Sequence, residues 1–169
     1  LEMIDIALDV SPQDVCFVPE RREEKTTEGG LDVIRQFKKV STACEKLLSN
    51  GIRVSLFIAP SLDQIQKAID IGVPVIEIHT GHYADLENEP KLRKNELDQI
   101  KKATDFAITN GLVVNAGHGL HYKNVQEIAE LKNINELNIG HAIVAEALFI
   151  GWENAVKKMK VIIDEVVNR

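Results

Sequence analysis

Cysteine is scarce in this chain: two among 169 residues, Cys16 and Cys44. No Cys-x-x-Cys or comparable spacing occurs, so a disulfide framework, a zinc ribbon and a dithiol redox centre all lack their ligands. Cys16 lies in the apolar run Val15-Cys16-Phe17-Val18 and Cys44 in the helix-like stretch 41–49. Both are expected to be buried, inert thiols, and a reducing cytoplasm is the expected compartment. Five prolines and ten glycines leave no low-complexity or linker segment that would divide the chain. Long hydrophobic runs are also absent. The longest are strand-sized, far below the roughly 20 residues of a membrane helix, so no membrane partner is expected. There is no basic excess: net charge is −6 and the pI about 5.4. That argues against general nucleic-acid binding, a local basic pocket aside. No leader-like segment opens the chain, which begins with Leu1 rather than Met, and further residues upstream are expected.

What is present is a globular composition, 44% apolar and 27% charged, with length for one ordinary core. A single domain over 1–169 is expected. Strand-like runs fall near 15–18, 54–59, 75–79, 112–115 and 136–139, and leucine- and isoleucine-rich stretches of helical period separate them. The stretch 31–49 carries Val33, Ile34, Phe37, Val40, Ala43, Leu47 and Leu48 on one face; 62–71 and 92–110 repeat the pattern. Gly51, Gly72 and Gly111 each close a helix as left-handed caps before the next strand. Strands apolar at nearly every position, with helices between, imply a parallel sheet covered by helices. Polar residues recur at the strand ends all along the chain, and two helical segments, 142–150 and 152–167, close it around Gly151. Both details favour a (β/α)8 barrel over an open sheet. Five strands are complete and Leu1-Glu2-Met3 reads as the tail of a sixth, so the chain is expected to cover about the C-terminal two-thirds of a barrel. Segments 20–30 and 85–95 read as long loops at strand ends.

All five histidines (His79, His82, His118, His121 and His141) fall at or just beyond strand ends, the rim where parallel α/β proteins build ligand sites. In Asn115-Ala116-Gly117-His118-Gly119-Leu120, two glycines hold His118 at that rim, suited to proton transfer; a turn histidine bonded to a nearby carbonyl would read the same way. In Asn138-Ile139-Gly140-His141-Ala142, a strand runs straight into a helix, whose free amides can cradle an anion. Glu77 and His79 alternate with Ile76 and Ile78, which places them on a barrel interior, where a carboxylate needs a partner or a task. His79-x-x-His82 and His118-x-x-His121 have metal-compatible spacing. No aspartate is placed as an obvious shared ligand, and no metal is expected.

Taken together, residues 18–33 (Val-Pro-Glu-Arg-Arg, then Thr-Thr-Glu-Gly-Gly-Leu-Asp-Val), 76–81 (Ile-Glu-Ile-His-Thr-Gly), 114–120 (Val-Asn-Ala-Gly-His-Gly-Leu) and 136–143 (Glu-Leu-Asn-Ile-Gly-His-Ala-Ile) closely resemble the pyridoxine 5′-phosphate synthases. The resemblance runs the length of the chain in order. It implies a (β/α)8 barrel, a homo-octamer, no cofactor, and condensation of 3-amino-2-oxopropyl phosphate with 1-deoxy-D-xylulose 5-phosphate to pyridoxine 5′-phosphate, inorganic phosphate and water. By the same resemblance Glu2 is the proton acceptor, His118 the proton donor and Glu77 the charge stabiliser. Thr26 contacts the deoxyxylulose phosphate, and Gly119, Gly140 and His141 hold the aminoketone phosphate. The family's opening strands have no counterpart in the sequence; with them go an Asn, an Asp-His pair, several arginines and a second catalytic histidine. The stretch between Met3 and Ile4 is also shorter than the family's loop. A barrel metallohydrolase and a non-catalytic phosphometabolite-binding barrel are the alternative readings.

Overall fold

The computed structural model describes residues 2–26 and 29–168, without the side chain of Arg22. Five strands, β1 (Asp14–Phe17), β2 (Arg53–Ile58), β3 (Val75–His79), β4 (Val113–Gly117) and β5 (Glu136–Asn138), form one sheet in sequential order. Every neighbouring pair is parallel. The result is a five-stranded parallel half-barrel. Helices connect the strands: α2 (Phe37–Leu48), α3 (Leu62–Ile71), α4 (Gly81–Asp85), α5 (Pro90–Thr109) and α6 (Val125–Ala129); α7 (His141–Ile150) and α8 (Trp152–Val167) close the chain. A first helix, α1 (Glu2–Val10), precedes β1 and packs on α2. No described helix is long and apolar enough to cross a membrane.

Alternation on the strands decides the layers. Val54, Leu56, Ile58, Ile76, Ile78, Val114 and Ala116 point outward and are buried. They meet Val40, Cys44 and Leu47 of α2, Ile65 and Ala68 of α3, and Ile100, Ala103 and Ala107 of α5 in one core. The inward set runs Cys16, Phe57, Glu77, Asn115 and Asn138, none of it fully buried. The caps expected at Gly51, Gly72 and Gly111 all have φ between 77° and 84°.

Four expectations need correction. Leu1 lies outside the described residues, and Glu2 and Met3 are not the end of a strand but the first turn of α1. The reason is period: Ile4, Ala7 and Leu8, spaced three and four apart, lean on the core, so this stretch is helical and Glu2 is exposed. The helix expected from residue 31 begins only at Phe37. The buried Gln64 side chain accepts the Val33 N–H (2.8 Å) and the Ile34 N–H (3.3 Å), and Asp32 accepts the Arg35 N–H (3.0 Å). Those bonds satisfy the backbone in a turn instead. Segment 85–95 is no long loop, because Pro90, at the first helical position where a missing N–H is harmless, opens α5 with only four residues between it and the end of α4. Finally, Cys16 is exposed, since it lies on the inward side of β1; only Cys44 is buried, which drives its thiol up to about 12.

Candidate active site

The carboxyl ends of the strands enclose a cavity of about 680 Å³. Four of the five histidines (His79, His118, His121 and His141) line it, together with Glu77, Lys25, Phe57, Gly119, Asn138 and Gly140. His82 does not. It turns away on α4, where its Nδ1 lies 3.2 Å from the buried Glu96 carboxylate.

Glu77 projects from the middle of β3 across the sheet. Its Oε2 accepts a hydrogen bond from Asn138 Nδ2 on β5 (2.9 Å) and lies 4.0 Å from Cys16 Sγ. β4 stands between those two strands, and only the absence of a side chain at Gly117 lets the bond pass. A Cβ there would lie 2.5 Å from Glu77 Oε1. Burial pushes the Glu77 carboxyl above its ordinary range; the Asn138 bond opposes this, and the Glu136 charge adds to it. Such a carboxylate is under-solvated and ready to meet a cation or a proton.

His118 sits just past the end of β4 with φ +81°, between Gly117 and Gly119. A left-handed backbone at a residue with a Cβ is uncommon and needs support. Thr80, fully buried, supplies it: its Oγ1 is 2.8 Å from the Gly117 carbonyl oxygen and 2.7 Å from that of His118, and its N–H donates to Gly117 (2.8 Å). Farther along the loop, Asn124 Nδ2 donates to the Gly119 carbonyl (3.1 Å), and its Oδ1 accepts the His121 N–H (2.7 Å). Asn124 is fixed in turn by Tyr83, whose hydroxyl lies 2.8 Å from the Asn124 carbonyl oxygen. Arg93 stacks on the Tyr83 ring at 4.7 Å, donates to its hydroxyl (2.6 Å), and pairs with Glu127.

His79 stands beside His118, ring centroids 4.8 Å apart and planes 23° from parallel. Burial, followed by the His118 and Lys25 charges, lowers its pKa to about 4, against a smaller opposite pull from Asp85. Across the cavity, Gly140 precedes the first turn of α7, and His141 is the first residue of that helix. The unpaired amides there carry the positive end of the helix dipole.

The structure therefore brings together Glu77, His118, Gly119, Gly140 and His141 and leaves two expected residues apart. Glu2 does not line the cavity. Thr26 does not either; its hydroxyl donates to the Gly29 carbonyl, and Gly29 in turn lies against His79. Asn138, Thr80 and Lys25 escaped the sequence reading. Asn138 was detectable in principle, standing in the Gly140 motif at the parity that faces inward with Glu77.

Residues 1–165 match the family described as Pyridoxal phosphate biosynthesis protein PdxJ. The chain belongs to the PdxJ family. Solved structures are similar in fold alone. "Native KDPGal structure" matches with TM-score 0.62 at 11% identity, covering 99% of this chain and 66% of that one. The Amycolatopsis orientalis BexX/CysO complex gives 0.55 at 15%, covering 92% and 59%. A Thermobaculum terrenum O-GlcNAc hydrolase mutant gives 0.52 at 13%, covering 80% and 36%. The chain thus spans under two-thirds of the length of each. The description of the family names pyridoxal phosphate biosynthesis.

Proposed function

We propose that the protein is a pyridoxine 5′-phosphate synthase, joining 3-amino-2-oxopropyl phosphate to 1-deoxy-D-xylulose 5-phosphate and releasing phosphate and water. The observation that carries this reading is the convergence, in a PdxJ-family cavity, of a poorly solvated carboxylate, a rim histidine and a helix N-terminus. Amine-to-ketone condensation, phosphate loss and ring closure are successive proton transfers, which ask for carboxylates and imidazoles rather than a redox group. His118 serves as the proton donor. Glu77 balances the positive charge of the imine stage, and that charge is welcome beside a carboxylate short of solvent. The aminoketone phosphate rests against Gly119, Gly140 and His141, where the α7 amides face it. Thr26 acts on the deoxyxylulose phosphate indirectly, by shaping the loop that ends in Gly29 and Gly30. Glu2 receives no role, since α1 carries it away from the cavity.

In the same proposal the half-barrel is completed to eight strands by further chain, within one domain, and subunits assemble into a homo-octamer. Leu148 (82% exposed), Phe149 (87%) and Trp152 (62%) at the α7–α8 turn supply apolar surface that such an assembly would cover. The reaction is tested by incubating full-length protein with both phosphates and following product by mass spectrometry. Pyridoxine 5′-phosphate is expected. Binding of both compounds without product would instead support a phosphometabolite-binding barrel, and hydrolysis dependent on stoichiometric bound zinc would support a metallohydrolase.

A further inference from the structure

The His79 imidazole is enclosed on four sides. Phe57 lies 5.1 Å away centroid to centroid, tilted, and His118 covers another face in near-parallel stacking. Two glycine backbones press on the ring as well. A Cβ at Gly29 would stand 2.6 Å from His79 Cε1, and one at Gly81 would collide with both His79 and His118. The backbone of two separate loops is therefore fitted around one ring. The Gly81 N–H donates to His79 Nδ1 (3.2 Å), a bond that favours the neutral tautomer with its hydrogen on Nε2.

We infer that His79 is a positioning residue for His118: an imidazole that stays uncharged and offers its ring face to a His118 that carries the proton. The inference rests on the proton-donor role proposed for His118. Two imidazolium rings stacked this closely repel each other, whereas an imidazolium over a neutral ring is attracted to its π face. The charged groups acting on His79 distribute the proton the same way. His118 and Lys25 oppose a charge on His79, and Asp85 only partly offsets them. Glu77, two residues back on the same strand, accepts its hydrogen bond from Asn138. With Nδ1 engaged by Gly81 and the ring packed against Phe57, Gly29 and Gly81, His79 is held as a fixed surface. His118, at a strained backbone position, rests against it.

Full-length protein labelled in its histidine rings and titrated by NMR tests this, in the wild type and in His79→Leu and His79→Phe variants. In the wild type, His79 is expected to remain neutral with the Nε2–H tautomer while His118 gains its proton. Leu removes the π face, so the His118 titration midpoint and the alkaline limb of kcat should both move to lower pH, by about half a unit to one and a half units. Phe keeps a ring and should bring the His118 midpoint back to within about 0.3 unit of wild type. Protonation of His79 before His118, or identical His118 midpoints in the Leu and Phe variants, would overturn the inference. The wild-type titration needs neither a variant nor turnover. A protein that made no product yet protonated in this order would sink the synthase reading and leave the pairing of the two rings standing.

Discussion

The two faces of β3 are made from alternate residues of the same five-residue strand and live under opposite physical demands. Ile76 and Ile78 point outward, are fully buried, and lock the strand to the helical layer. Glu77 and His79 point inward into a cavity, where the one has its carboxyl pushed up and the other its imidazole pushed down, each mainly by burial. The outward face contributes stability through apolar burial; the inward face works against it wherever either group ionises, since neither ionised form is well solvated there. Stability and chemistry are thus separated by one residue of register, and the sheet can change one without the other.

That separation is open to attack from either side. The largest effect is expected inside. His118→Asn, chosen because asparagine tolerates a positive φ, should lower kcat by about 10²- to 10⁴-fold while shifting the urea midpoint by less than about 1 kcal/mol equivalent. An unchanged kcat would remove His118 from the reaction. Next comes the outside: Ile78→Ala should cost about 2–5 kcal/mol of stability, with kcat of the folded fraction within about threefold of wild type. A large loss of kcat there would show that the two faces are coupled rather than separate.

The third test uses pH. An unfolded histidine takes up a proton near its ordinary value, and His79 in the fold does so only near 4. The stability it contributes is therefore fully present above about pH 6.5 and is lost as pH falls toward 4, amounting at most to something on the order of 3 kcal/mol before solvent screening. Urea midpoints measured at pH 7 and pH 4.5 should fall more steeply for wild type than for His79→Phe; equal slopes would contradict a neutral His79. The smallest effect concerns Glu77. A carboxyl raised in the fold lends stability at low pH and loses it as pH climbs through its folded value, so at pH 7 the ionised group works against folding. Glu77→Gln keeps an oxygen for Asn138 and should raise Tm at pH 7 while reducing turnover. A lower Tm would mean that the carboxylate is better satisfied than its burial suggests.

Much of this arrangement was legible in the residues. Five strands, the glycine caps and the α7–α8 pair follow from local periodicity and turn chemistry, which need no partner to be read. Glu77 facing inward followed from parity, and the pairing of His118 with the Gly140 turn followed from their common place at strand ends. What escaped reading depended on contacts from elsewhere in the chain. The late start of α2 is imposed by Gln64, thirty residues on. The exposure of Cys16 follows from its facing the inside of the half-barrel, a property of the sheet rather than of an apolar run. The first residues were misread because three of them, taken alone, look like a strand end, whereas Ile4, Ala7 and Leu8 beyond them set a helical period. The stacking of His79 on His118 was beyond reach, since it is created by β3 pairing in register with β4, His79 opposite Gly117.

The central claim is that the cavity above β3, β4 and β5 holds the reacting phosphates. Backbone amide NMR of full-length protein, titrated with 1-deoxy-D-xylulose 5-phosphate and with an aminoketone phosphate, examines it directly. Saturable shifts centred on His118, Gly119, Gly140, His141 and Ala142 are predicted for the aminoketone phosphate, with the Gly29–Gly30 segment responding to the deoxyxylulose phosphate. Saturable binding that leaves those amides unmoved and shifts residues elsewhere would contradict it.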